Sequence, residues 1–153
     1  MCPSRLKDVL PMDGKFSVLV IDDDPATRQL LTAFLKREKV DVECVADGDE
    51  ALARLEDRPY SVVLLDLMMP KLDGFGVIHR VSESMPHLLK KIIVVTAVST
   101  QAVSKLEDQA VVWEILRKPF DLDDLLRSVN ECARSHTKIP TLKPLRKPLE
   151  DLA

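Results

Sequence analysis

Residues 17–25 read S-V-L-V-I-D-D-D-P, and this stretch decides the fold. The first five residues form a short β-branched apolar run, the pattern of a strand buried on both faces. Three aspartates end the run, and Asp24 followed by Pro25 has the form of a helix cap with proline in the first turn. Leu30, Leu31, Phe34 and Leu35 then give one apolar face to a helix that should end near Lys39. A doubly buried strand that turns directly into an amphipathic helix is the opening unit of a parallel α/β sheet.

Outward from that unit the alternation repeats. Val40, Val42 and Cys44 alternate with charged residues as a second strand, and Asp47 caps a short helix carrying Ala51, Leu52 and Leu55. Residues 61–65 (S-V-V-L-L) form a third buried run that ends on Asp66. A loop with Pro70 and Gly74 leads to a helix with Phe75, Ile78 and Val81, closed by Pro86. A fourth strand over 92–95 ends on Thr96, and Ser99 or Thr100 caps a helix running to about Asp108. The fifth strand is expected over 111–116, and Asp121 caps a last helix with Leu122, Leu125, Leu126, Val129 and Cys132. The order βαβαβαβαβα predicts a doubly wound five-stranded parallel sheet with helices on both faces.

The whole chain is consistent with one such domain. It has 153 residues, with 46% apolar and 31% charged, the composition of an ordinary globular protein. Aromatics at 4% argue against base-stacking platforms, and no apolar run approaches the ~20 residues of a membrane helix. Residues 1–5 have no apolar signal core behind them, so secretion is not expected. The 22 basic against 25 acidic side chains are unevenly placed: residues 135–153 carry +2, leaving −5 on residues 1–134. An acidic body disfavours a nucleic-acid surface. Cys2, Cys44 and Cys132 are odd in number and far apart, which predicts neither a disulfide framework nor a zinc site and fits a reduced cytoplasm. His79, His87 and His136 are isolated and read as surface or packing residues, and Trp113 as core or edge packing. No G-x-x-x-x-G-K or G-x-G-x-x-G occurs. Pro140, Pro144 and Pro148 deny residues 136–153 a regular helix, so the expected organisation is an extension over 1–14, a domain over 15–134, and a tail or linker over 135–153.

In a doubly wound sheet, ligands bind at the C-terminal ends of the strands. Asp22, Asp23 and Asp24 follow the first strand, and adjacent carboxylates repel one another unless a positive charge intervenes. A hard divalent cation such as Mg²⁺ would supply it; taken alone, the run slightly favours a helix N-terminus rich in aspartate instead. Asp66 closes the third strand on the same rim, Thr96 closes the fourth, and Lys118 follows the fifth. Carboxylates, a hydroxyl and an ammonium together suit a cation and the oxygens of a phosphoryl group.

Four motifs now occur in order: L-V-I-D-D-D-P, V-V-L-L-D-L-M-M-P-K-L-D-G, I-I-V-V-T-A and L-R-K-P-F. With them, residues 16–134 resemble the receiver domain of two-component response regulators, similar to the single-domain chemotaxis regulators. The resemblance implies a flavodoxin-like sheet in the order 2-1-3-4-5. It implies that Asp66 is phosphorylated by a histidine kinase or histidine phosphotransfer protein. It implies that Asp22, Asp23, Asp66 and the Met68 carbonyl hold Mg²⁺, Asp23 directly and Asp22 mostly through water. Thr96 and Lys118 would contact the phosphoryl oxygens, Asp24 would remain the helix cap, and Lys118–Pro119 would be cis. Such a chain catalyses only its own phosphorylation and dephosphorylation, and signals to a downstream protein through the face of the fourth helix, fifth strand and fifth helix. Thr96 and Ile115 would be the switch positions. Many receivers carry Tyr or Phe where Ile115 stands, so the route of the conformational signal is the point of departure.

Three rival readings accompany this one. A haloacid-dehalogenase-like phosphatase also opens on an aspartate pair, but its D-x-D-x-T/V pattern meets Ala26 here. A receiver cut from a DNA-binding regulator is the second, although no helix-turn-helix follows residue 134. A degenerate receiver that only binds partners is the third, and it conflicts with the complete set of Asp22, Asp23, Asp66, Thr96 and Lys118.

Overall fold

A computed structural model describes residues 16–109 and 111–136. The chain runs β1 (Ser17–Ile21), α1 (Pro25–Arg37), β2 (Asp41–Val45), α2 (Gly48–Asp57), β3 (Val62–Leu65), α3 (Gly74–Ser84), β4 (Ile92–Thr96), α4 (Thr100–Gln109), β5 (Glu114–Arg117) and α5 (Leu122–Ser135), with a 3₁₀ segment Pro86–Lys91 before β4. The five strands are parallel in the order β2-β1-β3-β4-β5, as expected from the sequence. The tail expected over 135–153 lies outside the described residues except for Ser135, the last residue of α5, and its C-cap His136.

Strand alternation explains the layers. Val18, Val20, Val62, Leu64, Ile93 and Val95 face α1 and α5, where Leu31, Leu35, Leu125, Val129 and Cys132 complete one core. Leu19, Ile21, Val63, Leu65, Ile92 and Val94 face the other way, against Ala51, Leu55, Val77, Val81 and Leu106 of α2, α3 and α4. The central strands are therefore continuous apolar runs because both of their faces are covered. Four helices start on an aspartate: Asp24, Asp47, Asp73 and Asp121 each accept a backbone amide of the first turn. Ser99 caps α4, with its hydroxyl accepting the Ala102 amide at 3.2 Å.

One expectation needs correction. The fifth strand begins at Glu114, not Val111, because the ladder to β4 starts where Trp113 N donates to Ile92 O at 2.8 Å. Val111 lies before that ladder and is 71% exposed. Between Pro86 and β4, where the sequence carries no assignment, Pro86–Lys91 makes a 3₁₀ turn whose Leu88 is buried against the core. Among the described residues, Cys44 and Cys132 are not joined in a disulfide. Trp113 packs against the α1/α5 core and meets the His136 ring edge-on at 5.9 Å.

Candidate functional site

Because all strands run the same way, the residues that follow β1, β3, β4 and β5 collect on one rim. β1 is followed by β2 on one side and β3 on the other, so the loops after β1 and β3 diverge and open a crevice. The backbone ladder runs into this rim: Asp66 N donates to Ile21 O at 3.0 Å, and Lys118 N to Thr96 O at 2.8 Å. Asp22 N reaches Val45 O at 3.2 Å. The site residues are therefore held by the sheet itself, rather than by flexible loop.

Among the described residues, Asp22, Asp23 and Asp66 bring carboxylate oxygens within 4.8 Å of one another. Asp22 is 3% exposed and Asp66 7%, while Asp23 is open to solvent. Three converging oxygen ligands are a donor set for a hard divalent cation. Lys118 enters the same space, with Nζ 3.3 Å from Asp22 Oδ2 and 3.8 Å from Asp66 Oδ2. The Lys118–Pro119 bond is cis.

Each carboxylate is further held. Asp22 Oδ1 accepts the Asp24 amide at 2.9 Å, and Asp66 Oδ1 accepts the Met68 amide at 3.1 Å. Burial pushes the Asp66 carboxyl above its ordinary value; the Met68 amide and the Lys118 ammonium oppose this, and Asp22 and Asp23 add to it. Asp24 stands apart from the trio and caps α1, accepting the Ala26 amide and the Thr27 hydroxyl. The Thr96 side chain is fully buried, and its Oγ1 accepts the Val98 amide at 3.2 Å. Met68 is exposed in the loop after Asp66, and Ile115 is half-buried against the α2/α3/α4 core.

Two backbone contacts of the rim are not displayed by the sequence pattern. Gly74 opens α3, and a Cβ there would lie 2.5 Å from Asp66 O, so α3 approaches the Asp66 backbone only because the side chain is absent. Arg28 Nη1 donates to Asp22 O at 2.7 Å. Neither spacing nor composition marks this arginine, since its partner is a main-chain atom.

The fold and the rim together define an α/β protein with an acidic, lysine-bearing site at the topological switch point. The family model "Response regulator receiver domain" matches residues 18–130, and the chain belongs to that family. The response regulator receiver protein CpdR of Brucella abortus is 31% identical over 114 residues, covering 74% of this chain and 93% of CpdR. The transcriptional regulator RpaA of Synechocystis sp. is 32% identical over 124 residues, covering 80% of this chain and 51% of RpaA. The chain thus spans about half the length of several curated relatives it matches. Among solved structures, TrrA of Thermotoga maritima in complex with Mg²⁺-BeF superposes with TM-score 0.67 and 31% identity, over 76% of this chain and 98% of TrrA. The receiver domain of the Pseudomonas aeruginosa sensor histidine kinase PA1611, with magnesium coordinated in its active-site cleft, gives TM-score 0.70 and 27% identity, over 78% of this chain and 98% of that one. The phosphatase alternative is not favoured.

Proposed function

We propose that this receiver is a Mg²⁺-dependent phosphorylation switch with Asp66 as its phosphoacceptor. The observation that carries the reading is the convergence of Asp66 with Asp22, Asp23 and Lys118 on one rim. Asp22, Asp23, Asp66 and the Met68 carbonyl would hold Mg²⁺, whose charge offsets the carboxylates and the phosphoryl oxygens. An Asp66 carboxylate oxygen bonds to phosphorus while the P–N bond of a kinase or phosphotransfer-protein phosphohistidine breaks, the electron pair leaving with the imidazole. Lys118 turns its ammonium to the phosphoryl oxygens. The Val98 amide occupies a lone pair of Thr96 Oγ1, which leaves the hydroxyl proton to donate to the same group. The chain acts only on itself, in the cytoplasm, within a domain over 15–134 and a following tail or linker.

Output passes to a downstream protein through the face of α4, β5 and α5. Ile115 is β-branched and half-buried, so it follows Thr96 only partly, and the shift on activation is a modest change of populations. Backbone-amide NMR with Mg²⁺ and beryllofluoride tests this reading. Shifts centred on Asp66 and Thr96 that extend weakly into α4 and β5 support it. Unmoved amides at Asp22, Asp66 and Thr96 overturn it, and shifts confined to Asp66 overturn the output face.

A further inference from the structure

We infer that Arg28 is a positioning residue for the acidic rim, holding the Asp22–Asp23 peptide so that both carboxylates present themselves to one cation. The inference rests on the reading of Asp22, Asp23 and Asp66 as the cation site. Asp22 is tied at every polar position: its amide to Val45 O at 3.2 Å, Oδ1 to the Asp24 amide at 2.9 Å, Oδ2 to Lys118 Nζ at 3.3 Å, and its carbonyl to Arg28 Nη1 at 2.7 Å. The last of these is a charge-assisted bond. It is also the contact that acts on the peptide plane leading to Asp23. Asp23 is exposed, so its place at the rim depends on that backbone rather than on packing.

The choice of partner is informative. Arg28 lies within six residues of three aspartates, yet the ion pairs of the rim run from Lys118, and the guanidinium takes a main-chain oxygen instead. Arg28 also belongs to the first turns of α1, and its own amide bonds Asp24 O at 3.0 Å. The side chain therefore folds back from the helix onto the end of β1, and links the capped helix start to the strand end that carries the acidic pair.

Two roles for this cation predict opposite signs. As a nearby positive charge alone, Arg28 would repel an incoming divalent cation, and removing it would tighten binding. As a positioning group, it holds the ligand backbone in place, and removing it loosens binding, as losing a partner behind a metal ligand commonly does by roughly tenfold or more. Titration of the full chain with Mg²⁺ alone, followed by calorimetry, separates them. Arg28→Gln should bind Mg²⁺ roughly tenfold more weakly than wild type. Arg28→Lys should fall between, because an ammonium can still donate to the carbonyl without the planar fork. Arg37→Gln, which removes the same charge from the exposed far end of α1, should bind as wild type does. Urea midpoints in chelator are measured alongside, and if Arg28→Gln is partly unfolded, Arg28→Lys carries the test. Binding by Arg28→Gln, or by Arg28→Lys in its place, as tight as wild type or tighter overturns the positioning role. Absence of Mg²⁺ binding by wild type overturns the functional reading beneath it, and the two failures are thereby distinct.

Discussion

The Lys118 ammonium stands 3.3 Å from Asp22 Oδ2, although the two residues lie 96 positions apart in the chain. Parallel strand ends bring them together, and the pair holds a carboxylate whose side chain is only 5% exposed. Lys118→Met leaves Asp22 and Asp66 without this counter-charge. Because the lysine side chain is itself 25% exposed, the cost is discounted to about 1–2 kcal/mol at neutral pH in chelator. Urea denaturation measures it, and an unchanged midpoint would show that the ammonium contributes nothing to the resting fold.

Gly74→Ala should be costly. The added Cβ would meet Asp66 O at 2.5 Å and Leu67 Cα at 2.6 Å, both main-chain atoms that cannot swing away. Overpacking of this kind costs about 1–3 kcal/mol. A lowered urea midpoint is expected, and an alanine variant as stable as wild type would show that α3 can slide off the strand end.

Lys39→Gly should stabilise. Lys39 sits at φ 65° just beyond α1, its amide bonding Lys36 O at 2.9 Å while Val40 N bonds Leu35 O at 3.1 Å. This pair of bonds closes a helix through a left-handed residue, a position that glycine fills without the Cβ penalty. After the greater freedom of an unfolded glycine is subtracted, a gain of about 0.5–1 kcal/mol is expected in the same urea assay. A loss of stability would contradict it.

Glu43 gives the fold an acid-sensitive element on β2. The Tyr60 hydroxyl, and then Arg58 and Arg54, hold its carboxyl below the ordinary value of 4.5. A depressed folded value means that the stabilisation is complete above 4.5 and is lost as pH falls through the folded value. The stability gap between wild type and Glu43→Gln should therefore be widest near neutral pH and close on acidification. A gap that stays constant into acid would show that charge plays no part.

Legibility followed burial. β1, β3 and β4 are readable because both faces of each are covered, so their residues form unbroken Val, Ile and Leu runs. β5 is an edge strand with half-buried residues, and Val111 and Val112 are as apolar as the strand itself, so only the pairing of Glu114 with Ile93 locates its start. P-H-L-L-K-K has neither a strand nor a helix period, and its 3₁₀ turn is visible only in the structure. The meeting of Asp22, Asp23, Asp66 and Lys118 is legible because topology alone puts strand ends on one rim. Arg28 and the close approach at Gly74 are not, because both act on backbone atoms that a sequence pattern does not display.

The central claim is that Asp66 accepts a phosphoryl group with the help of a cation held by its neighbours. Intact-mass spectrometry after incubation with acetyl phosphate tests it most directly, with wild type and Asp66→Ala compared in Mg²⁺ and in chelator. The account predicts a single phosphoryl group on wild type in Mg²⁺, and none in chelator or on Asp66→Ala. Equal labelling of Asp66→Ala, or of wild type in chelator, would contradict it.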